Sequence, residues 1–211
     1  MGSIIIIAIV IIWICYRQYS INQMQQITSS IDGLRYKVHK NLTWPNKAAD
    51  ILAQINIIII KLLRYLRDQP NSGARATIVQ NLLKRYNPDN LIEHSPRKIG
   101  SDTSYTLNKG ELIALCLRER DPKSMGDPSI YDFHEFNTLV FVALHELTHI
   151  AIDELGHSQT FWMTFRFLLE AAEDAKIYIS PDYEKNPQHY CGVLINYNPR
   201  YDTSLPNILH F

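Results

Sequence analysis

The chain lacks three features, each of which would have pointed to a function class. It has no excess of charge: 21 Lys and Arg balance 21 Asp and Glu over 211 residues. Net charge zero gives no general pull toward nucleic acid, and composition shows no local basic patch. It has little cysteine: Cys15, Cys116 and Cys191 make no disulfide framework. The favoured reading is free thiols in a reducing compartment, with one Cys116–Cys191 bridge as the alternative. No Cys-x-x-Cys pair exists, so a metal site must rest on histidine and carboxylate. Finally, there is no internal repeat and, beyond isoleucine runs, no low-complexity tract. What remains, at 46% hydrophobic and 20% charged, can bury a sizeable core.

Residues 4–16, IIIIAIVIIWICY, carry no charge and end in Trp13 and Tyr16, as interfacial aromatics do. They predict a transmembrane anchor over 1–17, slightly short of a hydrocarbon core, with Arg17 snorkelling to cover the deficit. A cleaved signal peptide, the competing reading, would want basic residues before the run and a small-x-small site after it; neither is present. Arg17, Arg35, Lys37 and Lys40 all follow the run, which places the body on the cytoplasmic side. The expected protein is single-pass, its membrane contact through residues 4–16. The alternative location is a virion or the internal membrane of a viral assembly.

Ile21, Met24, Ile27, Ile31, Leu34 and Val38 recur at helical spacing and predict a helical stalk over 18–40. Trp44-Pro45 breaks it and opens a helix to Arg67. Lys47, Asp50, Gln54, Lys61, Arg64 and Asp68 form its single polar stripe, so it is buried on most sides, with a membrane-surface helix as runner-up. Helices within 18–68 are candidate surfaces for protein partners. A further helix is expected over Ala74–Tyr86. Then the texture turns to β: Thr103–Leu107 alternates, Asn108-Lys109-Gly110 turns, and Glu111–Leu117 is the best strand. The predicted organisation is an anchor over 1–17, a helical stalk and buried amphipathic helix over 18–70, and an α+β body over 71–211.

Asp132-x-x-Glu135 has the form of a capping box and predicts a helix start. The helix runs on through NTLVFVALHELTHIAI, apolar on all faces at its middle. His145 and His149, four apart, project from one face and can offer imidazole nitrogens to one ion. Glu146, beside them, can take a proton from water at that ion. Three polar side chains in so apolar a helix need partners, and a cation supplies them. For a third ligand, His157 follows Gly156, which can adopt positive φ and turn the chain back; Glu170 and Glu173 on a later helix are rivals. Tyr190 and His189 are candidates to stabilise an oxyanion.

The residues His145-Glu146-Leu147-Thr148-His149, then Gly156-His157, then Phe161-Trp162 resemble the WLM family of zincin-type metallopeptidases, with SprT-like proteins more distant. Upstream, Leu107-Asn108-Lys109-Gly110-Glu111 and LIALCLR resemble the strand those proteins place before the active helix. The gap before His157 is longer than in the tightest family pattern. The resemblance implies a zincin-like fold with a central helix and a small mixed sheet. It implies Zn2+ held by His145, His149 and His157, with Glu146 as general base. It also implies a sheet edge at Glu111, Leu112, Ile113, Ala114 and Leu115 that receives an extended peptide. Some family members act on proteins crosslinked to DNA; no DNA-binding stretch is evident here, so that substrate class does not follow. The expectation is a membrane-anchored zinc metallopeptidase acting on protein or peptide. The alternative is a non-catalytic structural component of a membrane-associated assembly, such as a virion shell protein.

Overall fold

A five-stranded mixed sheet, backed by four helices, organises the chain. The computed structural model describes residue 6 and residues 23–94, 103–119, 132–206 and 208. Strands β1 (Met24–Thr28) and β2 (Arg35–His39) form an antiparallel hairpin. β2 runs parallel to β3 (Leu91–Glu93), and β3 parallel to β5 (Leu112–Leu115). β4 (Tyr105–Leu107) pairs antiparallel with β5 and closes the order β1-β2-β3-β5-β4. A separate hairpin joins β6 (Gln188–Tyr190) and β7 (Val193–Ile195).

The β1–β2 hairpin stands where a helical stalk was expected. In β2, Tyr36 and Val38 alternate inward between exposed Arg35 and Lys37, a period-two signal that the sparse helical stripe masked. Ile31 and Leu34, counted in that stripe, are exposed on the connecting turn. There Gly33 takes φ 74° and Ser29 N–H donates to Leu34 O at 2.9 Å. Asp50 pins the turn to the following helix, accepting from Ser29 Oγ at 2.6 Å and Ser30 N at 2.9 Å.

The anchor expected over 4–16 lies, apart from Ile6, outside the described residues. Among the described residues no helix is long and apolar enough to cross a membrane. The single-pass membrane placement, and the cytoplasmic orientation built on it, are therefore withdrawn.

Helix α1 (Pro45–Asp68) has proline in its first turn, where no N–H is missed. It buries Ala49, Leu52, Ile55, Ile59, Leu62 and Leu66, and exposes Lys47, Gln54, Lys61 and Arg64. The predicted polar stripe is its only wet side, and the helix is a layer of the core rather than a membrane-surface element. It packs on β2 and against α3 (Phe136–Ala151). α2 (Gly73–Arg85) turns Ile78, Val79 and Leu82 inward against α3. α4 (Gln159–Asp174) completes the set. Residues 24–68 thus share one hydrophobic core with the remainder of the described chain.

Two buried links fix the strand leading away from β5. Arg118 Nε donates to Glu93 Oε1 at 2.7 Å with both side chains fully buried, and Glu93 Oε2 accepts from His39 N. Cys116 and Cys191 form a disulfide, which overturns the free-thiol reading. Their 75-residue separation hid a proximity that only the packing creates.

Candidate metal centre

Helix α3 is the central helix, and its sequence is apolar almost all round because nearly every face meets the core. It starts at Phe136, and Glu135 makes no side-chain cap, so the expected capping box does not form. His134 instead lies before the helix, with its ring Nε2 accepting Cys191 N–H at 3.1 Å. At the other end the helix exposes carbonyls with no intrahelical donor. Asn81 Nδ2 donates to Ala151 O at 2.9 Å and Arg85 Nη1 to Ile150 O at 2.9 Å. These donors come from α2, so tertiary packing supplies this cap. Gly156 does have positive φ, 74°, but in the loop beyond the helix rather than at its end.

His145 and His149 project one turn apart, and the loop after Gly156 returns His157 between them and α4. The ring centroids are 5.1 Å (His145–His149), 4.8 Å (His145–His157) and 5.1 Å (His149–His157) apart. One ligand atom from each lies within 4.8 Å of the others. A cation about 2 Å from each nitrogen in tetrahedral geometry sets three such rings about 5 Å apart. Among the described residues these three are the one grouping of His, Cys, Asp or Glu side chains that could hold a metal ion. Beneath them lies fully buried Phe161, its centroid 4.9, 4.5 and 4.6 Å from the three imidazoles. The aromatic bed holds the rings together and keeps water from their undersides. Ser158 starts α4 immediately after His157 by accepting Phe161 N–H at 3.2 Å.

Burial sets the protonation. It lowers His145 to about 3, helped by the neighbouring His149 and His157, and His149 to about 4; His157 is also lowered. The three imidazoles are therefore neutral near pH 7. His145 Nε2 and His157 Nε2 stand 3.0 Å apart, and at most one of them can carry a proton toward the other. Convergent neutral imidazole nitrogens are a donor set for zinc. Glu146, 4% exposed, is pushed up to about 7, mainly by burial and against the opposing bond from Thr106. Thr106 Oγ1 on β4 donates to Glu146 Oε2 at 2.9 Å.

The site floors a cleft of about 720 Å³. It is lined by Thr103–Thr106 with Asn108 and Lys109, and by Val193–Tyr197 with Tyr190. The sheet order corrects the expected substrate edge. Leu112, Ile113, Ala114 and Leu115 lie in β5, which is interior between β3 and β4, and Glu111 precedes it on the turn. Among the described residues the outer strand beside the histidines is β4. Glu170 and Glu173 are engaged elsewhere: Arg166 bonds Glu170 at 3.0 Å and Arg200 bonds Glu173 at 2.6 Å. Tyr190 does line the cleft, its hydroxyl 2.6 Å from Ser104 Oγ, whereas exposed His189 is not among the lining residues. Sequence reasoning missed Thr106, Phe161 as a platform and Lys109; Thr106 alternates with its strand neighbours, which was the available signal.

The chain is 33% identical to uncharacterized protein R325 of Acanthamoeba polyphaga mimivirus over 193 residues, 91% of this chain and 92% of that protein. It is 33% identical to uncharacterized protein 042R of Invertebrate iridescent virus 3 over 128 residues, 59% and 68% of the two chains. Uncharacterized protein 136R of Invertebrate iridescent virus 6 is 41% identical over 75 residues, 36% of this chain and 38% of that protein. No protein-family model matches the chain, so the likeness to WLM peptidases rests on the motif residues alone. No solved structure matches either. The zincin-like label expected for the fold is accordingly withdrawn, and the architecture stands as α+β with a mixed sheet.

Proposed function

We propose that this chain, which belongs to the same family as the mimivirus protein R325, is a zinc-dependent hydrolase of peptide bonds. One observation carries the reading: three imidazoles converge beside a buried carboxylate, in a cleft bordered by the outer strand β4. His145, His149 and His157 would hold Zn2+. Bound there, zinc supplies Lewis acidity, which activates water near neutral pH and polarises a carbonyl.

The chain's own groups do the rest. Glu146 takes the proton of the attacking water and returns it to the nitrogen of the departing amine. Thr106 fixes Oε2, so the carboxylate keeps one orientation. β4, the outer strand on this side of the described sheet, is the candidate to receive an extended peptide by strand addition. Tyr190, also lining the cleft, is the candidate to donate to the developing oxyanion.

The test uses the full chain, a dye-labelled denatured protein as substrate, and metal analysis. The wild type is expected to hold one zinc and to cleave. Glu146→Gln is expected to keep the zinc and lose cleavage. A variant that still cleaves sinks the assignment of the base. A wild type that binds no zinc sinks the metal centre itself.

A further inference from the structure

We propose that Lys109 is a positioning residue for the third metal ligand. It bridges the carbonyl oxygens of His149 and Glu154, and so closes against α3 the loop that carries His157. The proposal rests on the metal-site reading above.

The loop needs such a tie. Asp153, Glu154, Leu155, Gly156 and His157 are all exposed, Leu155 by 88%. The His157 ring packs on Phe161 and Trp162, but the four residues before it, Asp153–Gly156, are exposed and leave its main chain to polar ties. Among the described residues the loop is held by polar contacts: Arg85 Nη2 to Asp153 Oδ1 at 2.6 Å, Ser158 Oγ to the Glu154 carboxylate, and Lys109. The Arg85 bond reaches a side chain 78% exposed, and an ion pair so open to water holds little. Lys109 differs, because it grips main chain on the helix and in the loop at once. Its Nζ lies 2.8 Å from Glu154 O and 3.3 Å from His149 O. The second contact puts a cation at the carbonyl end of α3, where the helix dipole favours it.

Lys109 can serve as a fixed post because its own turn is braced. Asn108, Lys109 and Gly110 take φ of 44°, 57° and 109° in succession, turning β4 back into β5. A Cβ at Gly110 would meet Arg85 O at 2.9 Å, so the turn packs backbone to backbone on α2. Asn90 Nδ2 donates to Gly110 O at 2.8 Å. The same turn that ends the substrate-facing edge strand thus also carries the residue that seats His157.

Cobalt(II) titration of the metal-free full chain, followed by its visible absorption, tests this without requiring activity. Lys109→Met is expected to weaken Co2+ binding about 10- to 100-fold, the usual cost of removing a group that orients a ligand. Lys109→Arg, which can make the same two bonds, is expected to restore most of it. Because Lys109 acts through His157, the double variant K109M/H157A is expected to bind no more weakly than H157A alone. Unchanged binding in K109M, or full addition of the two losses, overturns the proposal. A wild type that binds no Co2+ overturns the metal centre instead, so the two failures are separable.

Discussion

The Thr106 hydroxyl reaches across from strand β4 and donates to Glu146 Oε2 at 2.9 Å. The bond joins the edge strand of the sheet to the carboxylate at the floor of the cleft, and it opposes the effect of burial on that group. Thr106→Val keeps the shape and removes the donor. The carboxylate then loses a hydrogen bond to its charged form, so its pKa rises further. The acidic limb of the kcat/KM profile is expected to move up by about one pH unit, the equivalent of one charge-assisted hydrogen bond. A profile that stays in place shows that this bond does not tune the base.

The histidines predict a one-sided pH dependence for the metal-free protein. His145, His149 and His157 all have folded-state values depressed below 6.5, to about 3 and about 4 for the first two, and buried His134 is lowered to about 4. A depressed basic group binds fewer protons folded than unfolded. Its stabilisation is present above pH 6.5 and is lost as pH falls through the folded values. Glu146, raised to about 7, acts with the opposite sign, because its neutral form favours the fold below that pH. Thermal unfolding of the chelator-treated Glu146→Gln variant, which lacks that offset, should therefore show a steady decline in Tm from about pH 6.5 toward pH 4. A Tm of that variant that holds down to pH 4.5 rules out four imidazoles buried in the neutral form.

The Cys116–Cys191 bond joins the end of β5 to the turn of the β6–β7 hairpin, and both residues are buried. Replacing both with alanine should cost about 2–5 kcal/mol in unfolding free energy. The metal ligands sit on α3 and the loop beyond it, so zinc affinity should survive in the folded variant. Cleavage should fall more than zinc content, because the hairpin is one wall of the cleft. Denaturant titration and metal analysis on one preparation separate the two effects; equal losses in both would tie the hairpin to the metal centre.

Tyr190 presents a different expectation. Its ring is buried against His134, with centroids 4.7 Å apart, and only its hydroxyl changes in Tyr190→Phe. If that hydroxyl serves the oxyanion, kcat should drop about 100-fold or more while zinc content and KM stay near wild type. A variant with normal kcat and lower stability gives the hydroxyl a structural role, through its bond to Ser104 among others.

The parts that sequence could reveal were those governed by local spacing. The His145–His149 separation puts two imidazoles on one face whatever surrounds the helix. The polar stripe of Lys47, Gln54, Lys61 and Arg64 marked the wet side of α1 correctly, and the alternating stretch before Asn108-Lys109-Gly110 became β4. The β1–β2 hairpin was misread because Ile31 and Leu34 fell at helical spacing by accident of a turn, while the alternation of Tyr36 and Val38 covered only five residues. The order of strands was not legible at all. β5 has the stronger strand sequence, and that strength reflects burial between two neighbours; the weaker β4 is the outer strand of the described sheet.

The sequence by itself determined the chemistry on offer: two histidines and a glutamate on one apolar helix, and a glycine able to turn the chain before a third histidine. Those follow from helical periodicity and backbone freedom, which act over a few residues. Tertiary structure alone decided that His157 rather than Glu170 or Glu173 completes the triad, that Thr106 meets Glu146, and that Cys116 finds Cys191. Each depends on segments distant in the chain being packed into contact by a shared core, and no local pattern encodes which segments those are.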